Sequence, residues 1–357
     1  APDSNSANSF MSVRTGQECF KSLKTAEVVT LVSLPEKVRA AVPAGAKTTA
    51  DMKETDESFW QVFRFRFLSG SAFTKEDSDA GLPRAVICAT VARRLFGRTD
   101  VAGQILQLNH VDYRISGVVA DVSMLATSAY AQVWIPYNST DMRNLDWEEG
   151  TMGSMRAVIL AHSSAEFPAI RQETELLRHK YNEGLRDVEV FYRGQPDEQF
   201  AGLYRKWNEI PDTKAIILRY MLIIVILLLV PAINLSSMTL SRMRKRMAEI
   251  GVRKAFGATG RELVRQVFFE NLLLTLVAGS LGLLLSYAAT FLLNGFLFNN
   301  TTNAYLVGET SLTPGMLLSP WAFLLAFGFC LLMNILSAGI PAWRASRMNI
   351  TDAINQR

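Results

Sequence analysis

The sequence predicts an α+β domain over residues 1–212 joined to an α-helical transmembrane domain over residues 213–357. The second part is predicted by three apolar runs, at about 216–236, 266–293 and 320–341. Each run has roughly the 20 residues that a helix needs to cross a ~30 Å hydrocarbon core. Residues 1–212 instead mix strand-like and helix-like patterns, which is typical of an α+β domain.

Local patterns within the first domain predict its elements in order. We expect buried strands where short apolar runs occur, a hairpin across Asn109 and His110, a short helix ended by Gly97, and an amphipathic helix over 164–182. The predicted strands are 28–34, 85–88, 104–108, 111–119, 132–136, 156–161 and 187–192, and the short helix is 90–96.

A dense aromatic stretch follows the first predicted strands of this domain. It contains Phe59, Trp60, Phe63, Phe65 and Phe67 within nine residues. Two interpretations stay open, with packing inside the domain favoured over a contact for a partner or an apolar cargo.

The residue types that carry catalysis or bind metals are scattered. The three cysteines, Cys19, Cys88 and Cys330, form no CxxC motif, and the three histidines lie far apart in the sequence. We therefore predict neither a catalytic nor a metal-binding constellation. Cys19 and Cys88 would be free to form a disulfide if their domain is exported, and the sequence leaves that open.

The distribution of charge predicts the orientation in the membrane. Residues 1–238 hold 26 Lys and Arg against 28 Asp and Glu, whereas residues 239–357 hold 11 against five. The basic surplus flanks the apolar runs, which indicates a membrane protein rather than a nucleic-acid-binding one. Residues 239–265 are strongly basic and residues 294–319 contain no Lys or Arg, so the positive-inside rule places the former in the cytoplasm.

Residues 1–212 are then outside the cell membrane. No apolar segment precedes them in this sequence to start their translocation. We therefore expect a further transmembrane helix upstream, giving the native protein at least four spans.

The cytoplasmic segment has an internal pattern of its own. Gly257 has the position of a left-handed helix end, and Thr259 with Glu262 has the spacing of a capping box. A new helix is therefore expected from about Gly260 to Leu293. Physical chemistry alone does not choose between an element that a partner protein pushes and a basic loop that binds anionic lipid.

Small residues recur every four positions in the second apolar run. Ala278, Gly282 and Ser286 form a stripe that would let another helix approach closely. Packing against helices of the same chain and a seam between two copies are equally compatible with it.

Residues 244–271 resemble the signature of FtsX/MacB-type ABC transporter permeases, with Glu249-Ile-Gly251-Val-Arg253-Lys254-Ala255-Phe-Gly257-Ala near their start. The tail resembles the family's last motif, with Pro341-Ala-Trp-Arg344-Ala-Ser-Arg347. The stretches that resemble a MacB-type periplasmic core domain are 59–70, 73–74, 92–97, Gly103 and 113–121. In that family a transmembrane helix precedes the exported domain, which fits the upstream span expected above.

The resemblance implies a non-catalytic permease subunit in the bacterial inner membrane. A cytoplasmic ABC ATPase would bind ATP and Mg²⁺, so that this chain itself binds no cofactor. A coupling loop over 239–262 would dock on that ATPase through residues that match the family signature: Glu249, Gly251, Arg253, Lys254, Ala255 and Gly257.

Further partners implied are a second permease copy, membrane lipid and, less directly, a periplasmic adaptor or outer-membrane channel. The expected outcome is export or extrusion of a substrate that the sequence does not name. Two alternatives remain: a transmembrane regulator of an exported enzyme such as a cell-wall hydrolase, and a ligand sensor partnered with a separate kinase.

Overall fold

The computed structural model describes residues 7–124, 126–140, 147–206, 209–257, 259–293, 321 and 323–333. The chain divides into two compact units, the first ending at Pro211 and the second beginning at Asp212. The first unit is built on a β-sheet with short helices, and the second consists of long helices.

The first unit's strands form a single hydrogen-bonded sheet of 11 strands within the described residues. They are β1 (Phe10–Met11), β2 (Val28–Ser33), β3 (Glu36–Ala41), β4 (Lys47–Thr55), β5 (Phe67–Gly70), β6 (Arg84–Cys88), β7 (Ile105–Leu108), β8 (Val111–Val119), β9 (Val133–Pro136), β10 (Met152–Gly153) and β11 (Met155–Leu160).

Helices connect these strands and make up the second unit. They are α1 (Val13–Gly16), which continues into a π-helical turn at Gln17–Lys21, α2 (Phe59–Val62), α3 (Lys75–Asp79), α4 (Ala89–Phe96), α5 (Phe167–Asn182), α6 (Gln199–Tyr204), α7 (Thr213–Ala255), α8 (Gly260–Leu292) and α9 (Phe323–Met333).

Six strands close into a ring in the order β4, β3, β7, β8, β6 and β9, because β9 pairs with β4 in parallel. The ring encloses the larger hydrophobic core, in which Trp134, Phe59 and Phe73 are fully buried or nearly so. The aromatic stretch contributes to this core: Phe59 packs on Trp60 and Phe65, with ring centroids 5.2 and 5.5 Å apart. The prediction that the stretch packs within the domain is confirmed.

A second layer extends from the ring through β2, which meets β4 at Val32 and Thr55. The strand order there is β2, β11, β1 and β10, all antiparallel. Helix α5 and the π-helical turn cover this layer and enclose a smaller core that includes Cys19, Phe20, Ile170 and Tyr181.

Most of the sequence-predicted elements of this unit are confirmed. The hairpin of β7 and β8 turns at Asn109 and His110, which both have positive φ, as a tight two-residue hairpin turn requires. Helix α4 ends at Gly97, whose φ of 70° is left-handed. Cys19 and Cys88 are both free and buried, and they lie in the two different cores.

The strand predicted over 187–192 is wrong. The backbone of Val190 is occupied by side chains of α5 instead of a neighbouring strand: its N–H donates to Asn182 Oδ1, and its carbonyl accepts from Asn182 Nδ2 and Arg178 Nη1, each at 3.0 Å. Alternation in the sequence cannot show that a side-chain amide will replace a strand partner.

In the second unit, two helices are long and apolar enough to cross a membrane, at Thr213–Val230 in α7 and Phe268–Leu292 in α8. They correspond to the first two predicted spans. The third predicted span is described only over the shorter apolar helix α9, and its remainder, like the 294–319 loop and the 341–347 motif, lies outside the described residues.

The region predicted as a coupling loop, 239–262, is mostly helical. Helix α7 runs without interruption from Thr213 through Pro231 to Ala255, a total of 43 residues. Residues 256–259 separate it from α8, so the predicted loop consists of the end of one helix, a short connection and the start of the next. The predicted start of α8 at Gly260 is confirmed, and its end lies within one residue of the expected Leu293.

Candidate coupling site

The candidate site is the turn between α7 and α8, with the helical ends that flank it. At 1.5 Å per residue, α7 extends about 38 Å beyond Val230, where its apolar window ends. The sequence puts six Lys and Arg side chains on this extension, at 242, 244, 245, 246, 253 and 254. The site is therefore a basic helical arm that continues directly from a candidate membrane span.

Gly257 ends the arm. Its φ of +94° lies in the left-handed region, and the N–H of the preceding Phe256 still donates to the carbonyl of Val252 at 3.1 Å. A Cβ added at Gly257 would meet no atom within 4 Å. Glycine is thus favoured here by backbone conformation and not by crowding.

Thr259 begins the next helix with the predicted capping box. Its Oγ1 accepts from the N–H of Glu262 at 3.4 Å, and its own N–H donates to Glu262 Oε2 at 2.9 Å. The hydrogen bonds from Thr259 hold the pKa of Glu262 below its usual value. Local sequence signals therefore define both ends of the connection: Gly257 ends the arm, and Thr259 begins α8.

The structure places the predicted coupling residues at this arm and turn. Glu249, Gly251, Arg253, Lys254 and Ala255 belong to the last two turns of α7, while Gly257 is in the turn itself. The side chains of the first five lie outside the described residues, so their contacts and roles remain predictions.

One exposed residue of this site was not singled out from the sequence. Phe256, at the tip of the turn, is 87% exposed, and Val252 lies one helical turn before it and is also exposed. The spacing of four puts both on one face of the arm. The sequence does indicate this face: Val252 and Phe256 are apolar residues within a basic segment, and Phe256 comes immediately before the glycine that ends the helix.

The predicted stripe of small residues lies on an exposed face of α8. Ala278, Gly282 and Ser286 are all exposed, and a Cβ on Gly282 would meet nothing within 4 Å. The contact with α9 instead uses Gly279, where a Cβ would approach the ring of Phe327 to 3.2 Å. The helix-packing role of the stripe remains a prediction.

Strand β4 carries a second group of ionisable residues, which sequence reasoning missed. Asp51, Lys53 and Glu54 on β4 and Asp56, the residue after it, are all buried, because β4 is the ring strand that also pairs with β2 of the second layer. Nothing in the alternation of a single strand shows that both of its faces will be covered.

Each of these groups has hydrogen-bond partners. Lys53 Nζ donates to the carbonyls of Thr127 and Ser128 at 2.7 and 2.9 Å, and burial, followed by the charge of Arg156, lowers its pKa to about 7. Burial raises the pKa of Glu54 to about 7, although the Thr140 hydroxyl donates to its Oε2 at 3.0 Å.

The remaining two carboxylates join neighbouring elements. Asp56 accepts from Lys21 Nζ at 2.8 Å, Thr30 Oγ1 at 2.6 Å and the N–H of Leu31 at 3.1 Å. The hydroxyl of Tyr130 donates to Asp51 Oδ2. These contacts fix β4 and Asp56 to the neighbouring elements. The buried side chains therefore have a structural role. Over the described ranges, no group of three or more His, Cys, Asp or Glu could hold a metal ion.

Comparison with known families gives two adjoining matches. Residues 3–176 match the MacB-like periplasmic core domain, and residues 221–350 match the FtsX-like permease C-terminal region. The first match covers most of the sheet unit, and the second contains the arm, the turn and α8.

Curated relatives and solved structures are similar to the same regions. The macrolide export ATP-binding/permease protein MacB of Escherichia coli K12 is 28% identical over 301 residues, which is 83% of this chain and 42% of the relative, and its counterpart in Shigella flexneri has the same figures. The chain thus spans about two fifths of these relatives' length.

Two solved domains are also similar. The periplasmic region of MacB from Actinobacillus actinomycetemcomitans is 18% identical, covering 50% of this chain and 78% of that one, with a TM-score of 0.39. The extracellular domain of the noncanonical ABC-type transporter YknZ, from Gram-positive bacteria, is 18% identical over 48% of this chain and 84% of that one, with a TM-score of 0.38.

Proposed function

The chain belongs to the FtsX/MacB-type permeases of ABC transporters, and from this we propose that it relays movement of a cytoplasmic ATPase to its exported domain. Permeases of this family are inner-membrane proteins with a periplasmic domain. The relayed movement drives export or extrusion of a substrate whose identity we leave open.

The observation that carries this proposal is the continuity of α7. One helix of 43 residues, about 64 Å long, contains both the apolar window that starts at Thr213 and the basic arm that ends at Ala255. A continuous helix transmits displacement because bending it breaks backbone hydrogen bonds. A push on the turn therefore reaches the exported end of the same helix.

The exported end of α7 is also well defined. Asp212 caps it, with Oδ1 accepting from the N–H of Ala215 at 3.1 Å. Asp212 directly follows Pro211 of the first unit, so movement of α7 acts on the exported domain through the chain itself.

We propose that ATP hydrolysis takes place in a partner ATPase subunit or a fused domain, and that this chain supplies no catalytic residue. The relatives' names join ATP binding to permease, and this chain matches only part of their length. Charge supports a docking role for the arm, since Arg253 and Lys254 would attract an acidic surface. Phe256 and Val252 would supply an apolar contact beside those charges.

We also propose a second permease copy as a partner. The other proposed partners are membrane lipid and, on the exported side, an adaptor or an outer-membrane channel. The exposed stripe at Ala278, Gly282 and Ser286 supports a close helix contact between copies.

Charge reversal at the arm tests the coupling. The full-length complex with Arg253→Glu and Lys254→Glu together should bind its ATPase about tenfold or more weakly, equivalent to ~1.4 kcal/mol, and should lose stimulated ATP hydrolysis. Lys37→Glu together with Arg39→Glu is the matched control, because it makes the same charge change at exposed residues of β3 in the sheet unit. Unchanged binding and hydrolysis in the doubly reversed protein would reject the proposal.

A second pair of variants tests the apolar tip. Phe256→Ser should weaken ATPase binding, whereas Leu292→Ser, an equally exposed apolar residue at the far end of α8, should not. Recovery of a histidine kinase in place of an ATPase, with either protein, would instead favour the sensor alternative.

A further inference from the structure

A folded connector precedes the first apolar window. The described residues 193–206 and 209–211, here called the connector, contain α6 and lie between the smaller core and α7 along the chain. Arg205 holds this connector together: its guanidinium pairs with Asp197 and donates to the carbonyls of Arg193 and Glu209 at 3.3 and 3.2 Å. Only 8% of the Arg205 side chain is exposed. The segment is therefore a compact structure and not a loose linker.

The connector is also fixed to α5. Arg171 Nε donates to the carbonyl of Pro196 at 3.2 Å, and its Nη2 lies 3.4 Å from Glu198 Oε1. Arg178 donates to the carbonyl of Val190 just upstream and covers the ring of Phe191, 5.4 Å from its centroid. Polar contacts thus attach the connector to α5 of the sheet unit.

The large apolar side chains of the connector are exposed. Ala201 is the buried residue of α6, while Phe200 and Leu203 are exposed, Leu203 to 63%. The ring of Tyr204 lies 5.2 Å from that of Phe200, on the same helical face. Ile210 adds a further apolar side chain, 69% exposed. A short folded segment whose polar groups are hydrogen-bonded and whose large apolar side chains are exposed is typical of an element that lies at a membrane interface.

Chain connectivity determines what is near this apolar face. Ile210 is three residues before Thr213, where the 18-residue apolar window begins. Three residues span at most about 10 Å. The polar interface of a bilayer is roughly 5–8 Å thick on each side of the hydrocarbon core. With the window in the membrane, Ile210 therefore lies at or just above the interface, and the Arg205–Glu209 contact keeps α6 close to it.

We propose that the connector lies on the outer surface of the membrane, with Phe200, Leu203 and Ile210 inserted at the boundary between headgroups and acyl chains. Tyr204 suits this depth because aromatic side chains concentrate at membrane interfaces. The exposed Lys206 and Lys214 lie on either side of Ile210 along the chain, where their ammonium groups meet lipid phosphates. The connector then holds the exported end of α7 at a fixed depth.

Depth-dependent fluorescence quenching tests this directly in the full chain. The exposed Cys330 is first replaced by Ala, and single cysteines are introduced as Leu203→Cys, Ile210→Cys, Leu222→Cys and Val111→Cys for labelling with a bimane fluorophore. Each protein is reconstituted in phosphatidylethanolamine–phosphatidylglycerol vesicles with lipids brominated near the headgroup or deep in the chain. Leu222 lies within the apolar window, and Val111 is an exposed apolar residue of β8 that serves as the matched control.

Labels at 203 and 210 should be quenched by shallow bromines at least twofold more than the label at 111, and should be protected from aqueous iodide. Quenching at 222 with none at 203 would overturn the proposal while leaving membrane insertion of α7 intact. Protection of the 203 label from both bromine and iodide would show that a protein covers the face, which also overturns it.

A second variant separates insertion from mere proximity. Phe200→Ser together with Leu203→Ser, read out with the label at 210, should reduce shallow quenching at 210 about twofold, because α6 no longer holds the connector in the interface. Undiminished quenching would mean that the position of Ile210 follows from its chain linkage alone. None of these readouts involves an ATPase, so they are independent of the proposed coupling function.

Discussion

The sheet unit and the long helices cover their apolar side chains by opposite means. In the sheet unit, closed strands and two cores enclose large side chains such as Trp134 and Phe59 completely. In α7 none of the apolar window is buried by the chain, and in α8 only 6% is. The sheet unit is therefore stabilised by its own interior, whereas the helices depend on lipid or another protein to cover them.

The same contrast extends to charged groups. The sheet unit buries Asp51, Lys53, Glu54 and Asp56 along one strand and provides each with hydrogen-bond partners. The α7 arm carries its basic residues on a helix that extends beyond the apolar window. Substitutions in the first region should change global stability, and those in the second should change local order or binding.

The largest effect is expected at the centre of the aromatic core. Phe59→Ala removes a fully buried ring, so the free energy of unfolding of the sheet unit should fall by about 3–5 kcal/mol. Urea unfolding followed by tryptophan fluorescence measures it, because Trp60 and Trp134 belong to the same cluster. Phe269→Ala, an exposed ring of α8, should leave that transition unchanged, and an equal loss in both proteins would break the comparison.

A somewhat smaller effect is expected at Asp56. Asp56→Ala leaves the N–H of Leu31 and the hydroxyl of Thr30 without their buried acceptor, and should cost about 2–4 kcal/mol. The control is Glu18→Ala, which breaks an exposed pair with Arg14 and should cost less than about 1 kcal/mol. Thermal unfolding of both variants gives the comparison, and similar losses would contradict the structural role assigned to Asp56.

The pH dependence of stability tests the burial of two neighbouring residues, Glu54 and Lys53. Burial raises the pKa of Glu54 from 4.5 to about 7. Between these values the folded state holds a proton that the unfolded state has lost, so the free energy of unfolding falls as pH rises, by up to about 1.4 kcal/mol per pH unit. Glu54→Gln should flatten this slope in urea titrations between pH 5 and 7.

Lys53 acts in the opposite direction at higher pH. Burial lowers its pKa from 10.5 to about 7, so above pH 7 the unfolded state holds the extra proton and stability rises with pH. Lys53→Met should remove that rise while leaving the slope below pH 7 in place. A wild-type stability curve without a minimum near pH 7 would show that one of the two groups is solvated.

The smallest effect is expected in the turn. Thr259→Ala removes the cap of α8 and should cost about 1 kcal/mol of local helix stability. Faster hydrogen exchange of the first amides of α8, with an unchanged unfolding transition of the sheet unit, is the expected result. Thr290→Ala, near the other end of the same helix, is the control; a global loss of stability from Thr259→Ala would contradict the separation of the two regions.

Much of the fold could be predicted because its signals are local. The apolar runs at about 216–236 and 266–293 identified the first two candidate membrane helices, and Gly257 with Thr259 located the end of α7 and the start of α8. The β7–β8 hairpin followed from alternation around Asn109 and His110. Each of these features depends on residues within one or two turns of the chain.

The candidate site was predicted only in part. The family motif at 244–271 located the site and identified its basic residues. Phe256 was not predicted, because the exposure of a side chain cannot be read from the sequence alone. The uninterrupted course of α7 was missed too, since Pro231 and the change from apolar to basic residues indicate an end or a kink.

The sequence by itself determined where the apolar and basic segments lie, which ends of helices are capped and which strands form hairpins, because these depend on neighbours along the chain. The closure of six strands by the parallel pairing of β9 with β4, the burial of Asp51, Lys53, Glu54 and Asp56, and the exposed apolar face of the connector were decided by the tertiary structure. These depend on contacts between residues up to about 80 positions apart, as at Tyr130 and Asp51, which only packing in three dimensions selects.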